Sequence, residues 1–231
     1  ATTLATTTAV VDYDLQGESR RAHGTVAMLL ARGTVANATV DDRGLSPPAS
    51  FLRGVLEATR SRTVQATRTQ VAARWEPYPG APLAGQITVG ASPPGMTDVT
   101  TATVTVPSGV DSVDKAARNA TERGYCGVAR ETAAVVTETL LPGTRVAASA
   151  GEQSPTALVS AGRFHSLGTA LGVETEALLR RGNVQRAETL VTDALADRFC
   201  RDMRERFDSP TAAASAVDTG SVDIIVRRWE E

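Results

Sequence analysis

Between Thr67 and Val106 polar and apolar side chains alternate, and no other pattern in the chain restricts its fold so tightly. Thr67, Thr69, Val71, Ala73 and Trp75 share one face of an extended backbone, and Arg68, Gln70, Ala72 and Arg74 share the other. A period of two marks a strand with one covered face and one wet face, the habit of antiparallel sheets. Pro77 to Pro82 breaks the run, Gln86 to Val89 resumes it, and Ser92-Pro93-Pro94-Gly95 turns the chain before Val99 to Val106 alternates again. Three strands with such short connections read as a meander.

From Asp111 onward the period changes to about 3.6, the spacing of helices. Helices are expected at Val113–Arg123, Tyr125–Leu141 and Thr156–Leu171, then from an Asn183 cap to Asp208, and briefly from Pro210 to Ala216. Pro142-Gly143 and the loop 147–154 punctuate them. Upstream, Leu4–Tyr13 reads as a strand, Gln16 to Ser19 as a turn with Ser19 as a cap, and Ala22–Val35 as a helix. A second helix covers Ala49–Thr59, started by Ser46 with Pro47 and Pro48. The C-terminal VDIIVRRW, Val222 to Trp229, is a strand. Strand, helices, three strands, a run of helices and a last strand do not alternate as βαβ units do. The expected architecture is α+β: an antiparallel sheet of about five strands covered by several helices. We expect one domain over 1–231, with a helix-rich segment at 111–217.

Composition excludes several functions. With 24 basic and 26 acidic residues the net charge is −2, so no cationic surface points to nucleic acid. The longest apolar run, Val26 to Ala31, is far short of the ~20 residues of a membrane helix. The chain opens at Ala1 without an initiator Met, which suggests processing or a trimmed N-terminal segment. Lys115 is the sole lysine, the other cations being arginine. GC-rich coding explains that bias, and so does a halophile's lysine-poor surface; the near-neutral charge speaks against the second.

Two cysteines, Cys126 and Cys200, are too few for a zinc site or a disulfide framework. Both sit among apolar helical residues and can point inward, as one disulfide or as two free buried thiols. A bridge would stabilise the fold by roughly 4 kcal/mol by closing the long loop between them. Two sequons, at Asn37 and Asn119, matter only for an exported domain.

Chemistry-bearing motifs are sparse. His23 and His165 have no partner at metal-ligand spacing, and neither a P-loop nor a G-x-G-x-x-G occurs. His165-Ser166 invites a hydrolase reading, but its context is not G-x-S-x-G. Asp12 and Asp14 share one strand face, better read as solvated than as a cation site. Arg60, Arg62, Arg68 and Arg74 lack the interleaved aromatics of a single-strand nucleic-acid platform. Trp75, Tyr78 and Trp229 hold three of nine aromatics; they either seal the end of the sheet core or form a contact patch for a partner. Thr-rich strands leave open edge pairing between subunits. We expect no catalytic residues, no metal and no cofactor.

The runs RTQVAARWEPYPGAPLAGQITVGASPPG and TATVTVPSG, with RRAHGTVAMLLARG upstream and VDIIVRRW far downstream, resemble an uncharacterised family of haloarchaeal surface proteins. The resemblance spans most of the chain. Its members look like small proteins with one N-terminal hydrophobic segment and an outer soluble domain, encoded near type IV pilus-like, Tad-type secretion genes. This chain lacks that segment, which trimming before Ala1 would explain. The resemblance implies a non-enzymatic, extracellular or membrane-anchored role, pilin-like or as a pilus or secretion accessory. Protein partners or self-assembly at the surface, a Cys126–Cys200 bridge and glycosylation at Asn37 and Asn119 would go with it. The alternatives are an extracytoplasmic ligand-binding or sensor domain, whose arginines should converge on a deep pocket, and a hydrolase built on Ser166 and His165.

Overall fold

A computed structural model describes residues 2–15, 18–45, 49–63, 68–95, 98–141 and 155–230. The alternating region forms three strands, β5 (Thr69–Trp75), β6 (Leu83–Val89) and β7 (Val99–Pro107), and the C-terminal run forms β8 (Ser221–Trp229). With β3 (Ala38–Val40) and β4 (Arg43–Gly44) they make a six-stranded antiparallel sheet in the order β4-β3-β6-β5-β8-β7. The fold is α+β, as expected, with one more strand in this sheet than anticipated and a separate hairpin besides. Thr67, the start of the predicted strand, lies outside the described residues.

The expected meander is broken. β5 pairs with β6, but β8 enters between β5 and β7. Side-chain content explains the exchange. Val222 and Ile224 of β8 are fully buried, and Ile225 adds an apolar residue on the other face, so β8 suits a central place. β7 offers threonine, valine and one alanine, and sits at the edge with most of its side chains exposed.

The N-terminal third departs most from its pattern. Thr2–Thr6 is a short helix, α1, anchored by the buried Leu4, and a hairpin follows, β1 (Thr8–Leu15) with β2 (Glu18–Thr25). β2 takes residues that the periodicity assigned to a helix. Helix α2 begins at Val26 and runs to Ala36, and its cap is the Thr25 hydroxyl, which accepts from the Met28 N–H at 3.2 Å, rather than Ser19. The pairing of Asp12 with Arg21 across the hairpin, at 2.7 Å, helps to hold residues 18–25 extended. Helix α3 (Ala49–Thr63) covers β1, with Phe51 edge-on to Tyr13 at 5.1 Å between ring centres. Its predicted Ser46-Pro47-Pro48 start lies outside the described residues.

α2 lies across the inner face of the sheet, touching β5, β6, β7 and β8. Contact is at backbone distance. A Cβ at Gly85 of β6 would overlap the carbonyl oxygen of Thr34 in α2, and a Cβ at Gly33 would press on Val55 and Ile87. Val71, Ala73 and Trp75 of β5 share that face with Ile87, Val89 and Ile224, and all are buried.

The helix-rich segment contains α4 (Asp114–Asn119), a 3₁₀ turn (Thr121–Arg123), α5 (Gly124–Leu140), α6 (Pro155–Ala170), α7 (Glu176–Arg180), α8 (Val184–Arg206) and α9 (Pro210–Ala216). Gly124, at φ +69, separates the two helices expected there, and the first of them, Val113–Arg123 in sequence, is divided into α4 and the 3₁₀ turn. The Pro142-Gly143 stop and the loop 147–154 lie outside the described residues. α5 and α8 run antiparallel: Cys126 meets Cys200 and Arg130 meets Asp193. Buried apolar side chains from Leu4 to Ile224 belong to one cluster, so hairpin, sheet and helices share a core.

Gly85→Ala is expected to lower unfolding stability by roughly 1–3 kcal/mol, because both clashing groups are backbone and cannot swing away. Urea denaturation checks this; an unchanged midpoint would show that α2 stands farther from β6.

Candidate functional site

Cys126 near the start of α5 and Cys200 near the end of α8 are joined by a disulfide across 74 residues, with Cα atoms 4.6 Å apart. Of the two readings left open by the sequence, the bridge is the one seen. Only one cysteine points inward. Cys200 is 3% exposed, whereas Cys126 lies on the solvent side of the helix pair, and the Arg204 guanidinium sits 3.3 Å from its sulfur. Gly127, one residue on, leaves no room for a Cβ against Ala120 and Arg123, so this end of α5 is tightly seated.

Trp75, Tyr78 and Trp229 form no contact patch. Their exposures are 1%, 1% and 7%, too little to meet a partner. Trp75 donates its indole N–H to the Thr219 carbonyl at 3.0 Å, tying β5 to the residues before β8. Tyr78 lies edge-on between Phe199 and Phe207 and joins the β5–β6 loop to α8. Its hydroxyl makes no hydrogen bond of standard geometry; burial, with the nearby Asp202 carboxylate, pushes its pKa far above the ordinary tyrosine value. Trp229 pairs with Val99 on the opposite face of the sheet. An aromatic at a strand end has the same sequence signature whether it seals a core or meets a partner, and here Trp75 and Tyr78 belong to the core.

The two sequons differ. Asn119 is exposed at the end of α4. Asn37 is half-buried at the C-terminus of α2, and its side-chain nitrogen donates to the Gln86 carbonyl at 2.9 Å. A glycan there would have to break that bond.

His165 and Ser166 are neighbours on α6, where adjacent side chains diverge by about 100°, so they do not face each other as nucleophile and base. Asp12 and Asp14 are exposed on β1, and Asp12 pairs with Arg21. Among the described residues no group of three or more His, Cys, Asp or Glu side chains is placed to hold a metal ion.

Sequence reasoning did not single out Arg163 on α6. Its guanidinium is largely buried, which lowers its pKa, and it donates to the Ala36 carbonyl at the C-terminus of α2 at 2.8 Å. A cation there complements the negative end of the helix. Nothing in the local sequence around Arg163 marks it, because its partner is 127 residues away.

The described arginines do not converge on a cavity. A cleft of about 780 Å³ lies along α5 and α8 and is lined by Glu138, Gln185, Arg186 and Asp193 among others. A smaller one beside the disulfide, about 270 Å³, has Arg123 and Arg130 at its wall, but these pair with Glu131 at 2.7 Å and Asp193 at 2.9 Å. Arg198 is held by Asp41 through two nitrogens, at 2.7 and 3.2 Å.

The sheet face away from α2 carries several exposed polar side chains. Thr101, Thr103 and Thr105 of β7, Asp223 of β8, Arg74 of β5, and Gln86 and Thr88 of β6 are exposed there. Short polar links cross it: Thr105 donates to Asp223 at 2.7 Å, and Arg227 to Gln70 at 3.0 Å. Among the described residues β7 pairs with β8 alone, so its other side is an edge of the sheet.

These features define a disulfide-stapled α+β protein whose six-stranded sheet is packed against α2 on one face. The chain belongs to a family of unknown function, DUF7284, whose model matches residues 1–229. No curated protein and no solved structure matches it.

Replacing both Cys126 and Cys200 with serine is expected to cost about 4 kcal/mol, since the unfolded chain regains the entropy of a 74-residue loop. Equilibrium unfolding with and without reductant measures it. Two free thiols in the untreated protein would contradict the bridge.

Proposed function

We propose that this chain is a non-enzymatic domain working outside the cytoplasm, displayed at the cell surface, and acting through protein partners or its own assembly. The observation that carries the reading is the Cys126–Cys200 bridge, whose Cys126 side is open to solvent. Structural disulfides persist in oxidising compartments and are rare where thiol reductants are abundant. No helix of the described residues is long and apolar enough to cross a membrane, so any anchoring would have to come from elsewhere. Lacking basic convergence and clustered metal ligands, the described surface favours contact by shape and backbone pairing. The resemblance of several segments to haloarchaeal surface proteins supports the more specific role of a pilin-like or pilus or secretion accessory domain, with glycosylation at Asn119.

A lysine-poor chain makes the location directly measurable. Lys115, the sole lysine, is exposed on α4. A membrane-impermeant amine-reactive reagent applied to intact native cells is expected to modify Lys115, read by peptide mass spectrometry. Modification that appears only after lysis would place the protein inside and overturn the proposal.

A further inference from the structure

The two edges of the six-stranded sheet are built differently. One is β4, two residues long, carrying Arg43 and joined to β3 by the turn Asp41-Asp42, at φ +46 and +65. Short edges, charges and irregular backbone are the usual means of preventing edge-to-edge association. The other edge, β7, has none of them. It is nine residues long, carries no charged side chain, and has a proline only at its last position. It pairs with β8 from Val99 to Pro107, so its opposite side presents a row of N–H and C=O groups with no partner among the described residues. The β1–β2 hairpin, by contrast, carries Asp12, Asp14, Arg20 and Arg21.

We propose that β7 is a self-pairing edge: two copies of this chain join β7 to β7, antiparallel, about a two-fold axis normal to the sheet. The sequence of β7 matches itself in this arrangement. Such an axis keeps each face on its own side, so odd-numbered residues meet odd and even meet even. Centred on Thr103, the pairs are Thr103 with Thr103 and Thr101 with Thr105 on the open face, and Ala102 with Val104 and Thr100 with Val106 on the α2 face. Centred on Ala102, they are Thr101 with Thr103 and Val99 with Thr105, then Ala102 with itself and Thr100 with Val104. Threonine meets threonine or valine, small apolar residues meet each other or threonine, and no like charges oppose in either register. Val104 and Val106 are half-buried at the margin of the core, and pairing would cover their remaining surface. The two six-stranded sheets become one continuous sheet with an isologous interface. The inference rests on the self-assembly part of the proposed function and not on its location.

Sedimentation of the purified full chain tests it. The unaltered protein is expected to form dimers. Thr103→Lys, whose side chain projects into solvent on the open face, is expected to be monomeric with unchanged circular dichroism. Thr103→Lys mixed with Thr103→Glu should recover a dimer containing one of each, which general misfolding would not produce. Thr103→Cys or Ala102→Cys should cross-link between copies through the introduced thiols, one position more efficiently according to register, and Pro107→Cys should not. A monomer at the highest attainable concentration would overturn the inference. So would a dimer that persists unchanged with lysine at both 101 and 103. Neither result alters the outcome at Lys115, so the two proposals fail separately.

Discussion

Close contact between α2 and the inner face of the sheet organises this protein. At Gly85 the strand has no side chain, and the Thr34 carbonyl of the helix occupies the space one would fill. That approach lets a helix of small and medium residues reach β5, β6, β7 and β8 at once. Packing at this distance gathers many weak dispersion contacts while leaving no void. It also dictates which sheet face is dry. The far face is largely polar, with Thr103, Arg74 and Thr88 exposed, although Gln70 and Trp229 on that face are buried.

The helical layer is held by a different kind of constraint. α5 and α8 are joined covalently at Cys126 and Cys200, and Tyr78, Phe199 and Phe207 fasten α8 to the loop between β5 and β6. Trp75 adds a hydrogen bond to Thr219, so the end of β5 and the entry to β8 move together. A buried indole N–H must find an acceptor, and this one finds it in a segment 144 residues away. The most hydrophobic groups of the chain are thus spent on internal joints.

Much of the architecture was legible along the chain. The helical repeat through Ala187, Val191, Leu195 and Phe199 matched burial, and so did the alternation at Val71, Ala73 and Trp75, although Gln70 on the face expected to be wet is buried. Legibility failed at residues 18–25, where Ala22 and Val26 fit a helical stripe but the hairpin register to β1 prevailed. It failed again in strand order, because proximity in sequence favoured β6 beside β7 while burial favoured β8. In the candidate site, the cysteine pair could be picked out as the only two of their kind, but neither their bridging nor the outward position of Cys126 could be read from residue type. Trp75, Tyr78 and Trp229 were recognisable as important, but the choice between core and partner contact was not legible, since the same side chains serve either.

The sequence by itself determined the α+β class, the change of period near Asp111, the uncharged character of β7 and the absence of local phosphate- or metal-binding motifs. These are local properties, set by side-chain spacing and chemistry within a few residues. Only the tertiary structure decided that β8 is central and β7 is an edge, that α2 dries one face and leaves the other wet, and that Arg163 buries its charge against the end of α2. Those outcomes depend on competition among segments far apart in the chain for the same buried surface. The winner is the arrangement that hides the most apolar area while leaving the fewest polar groups without partners.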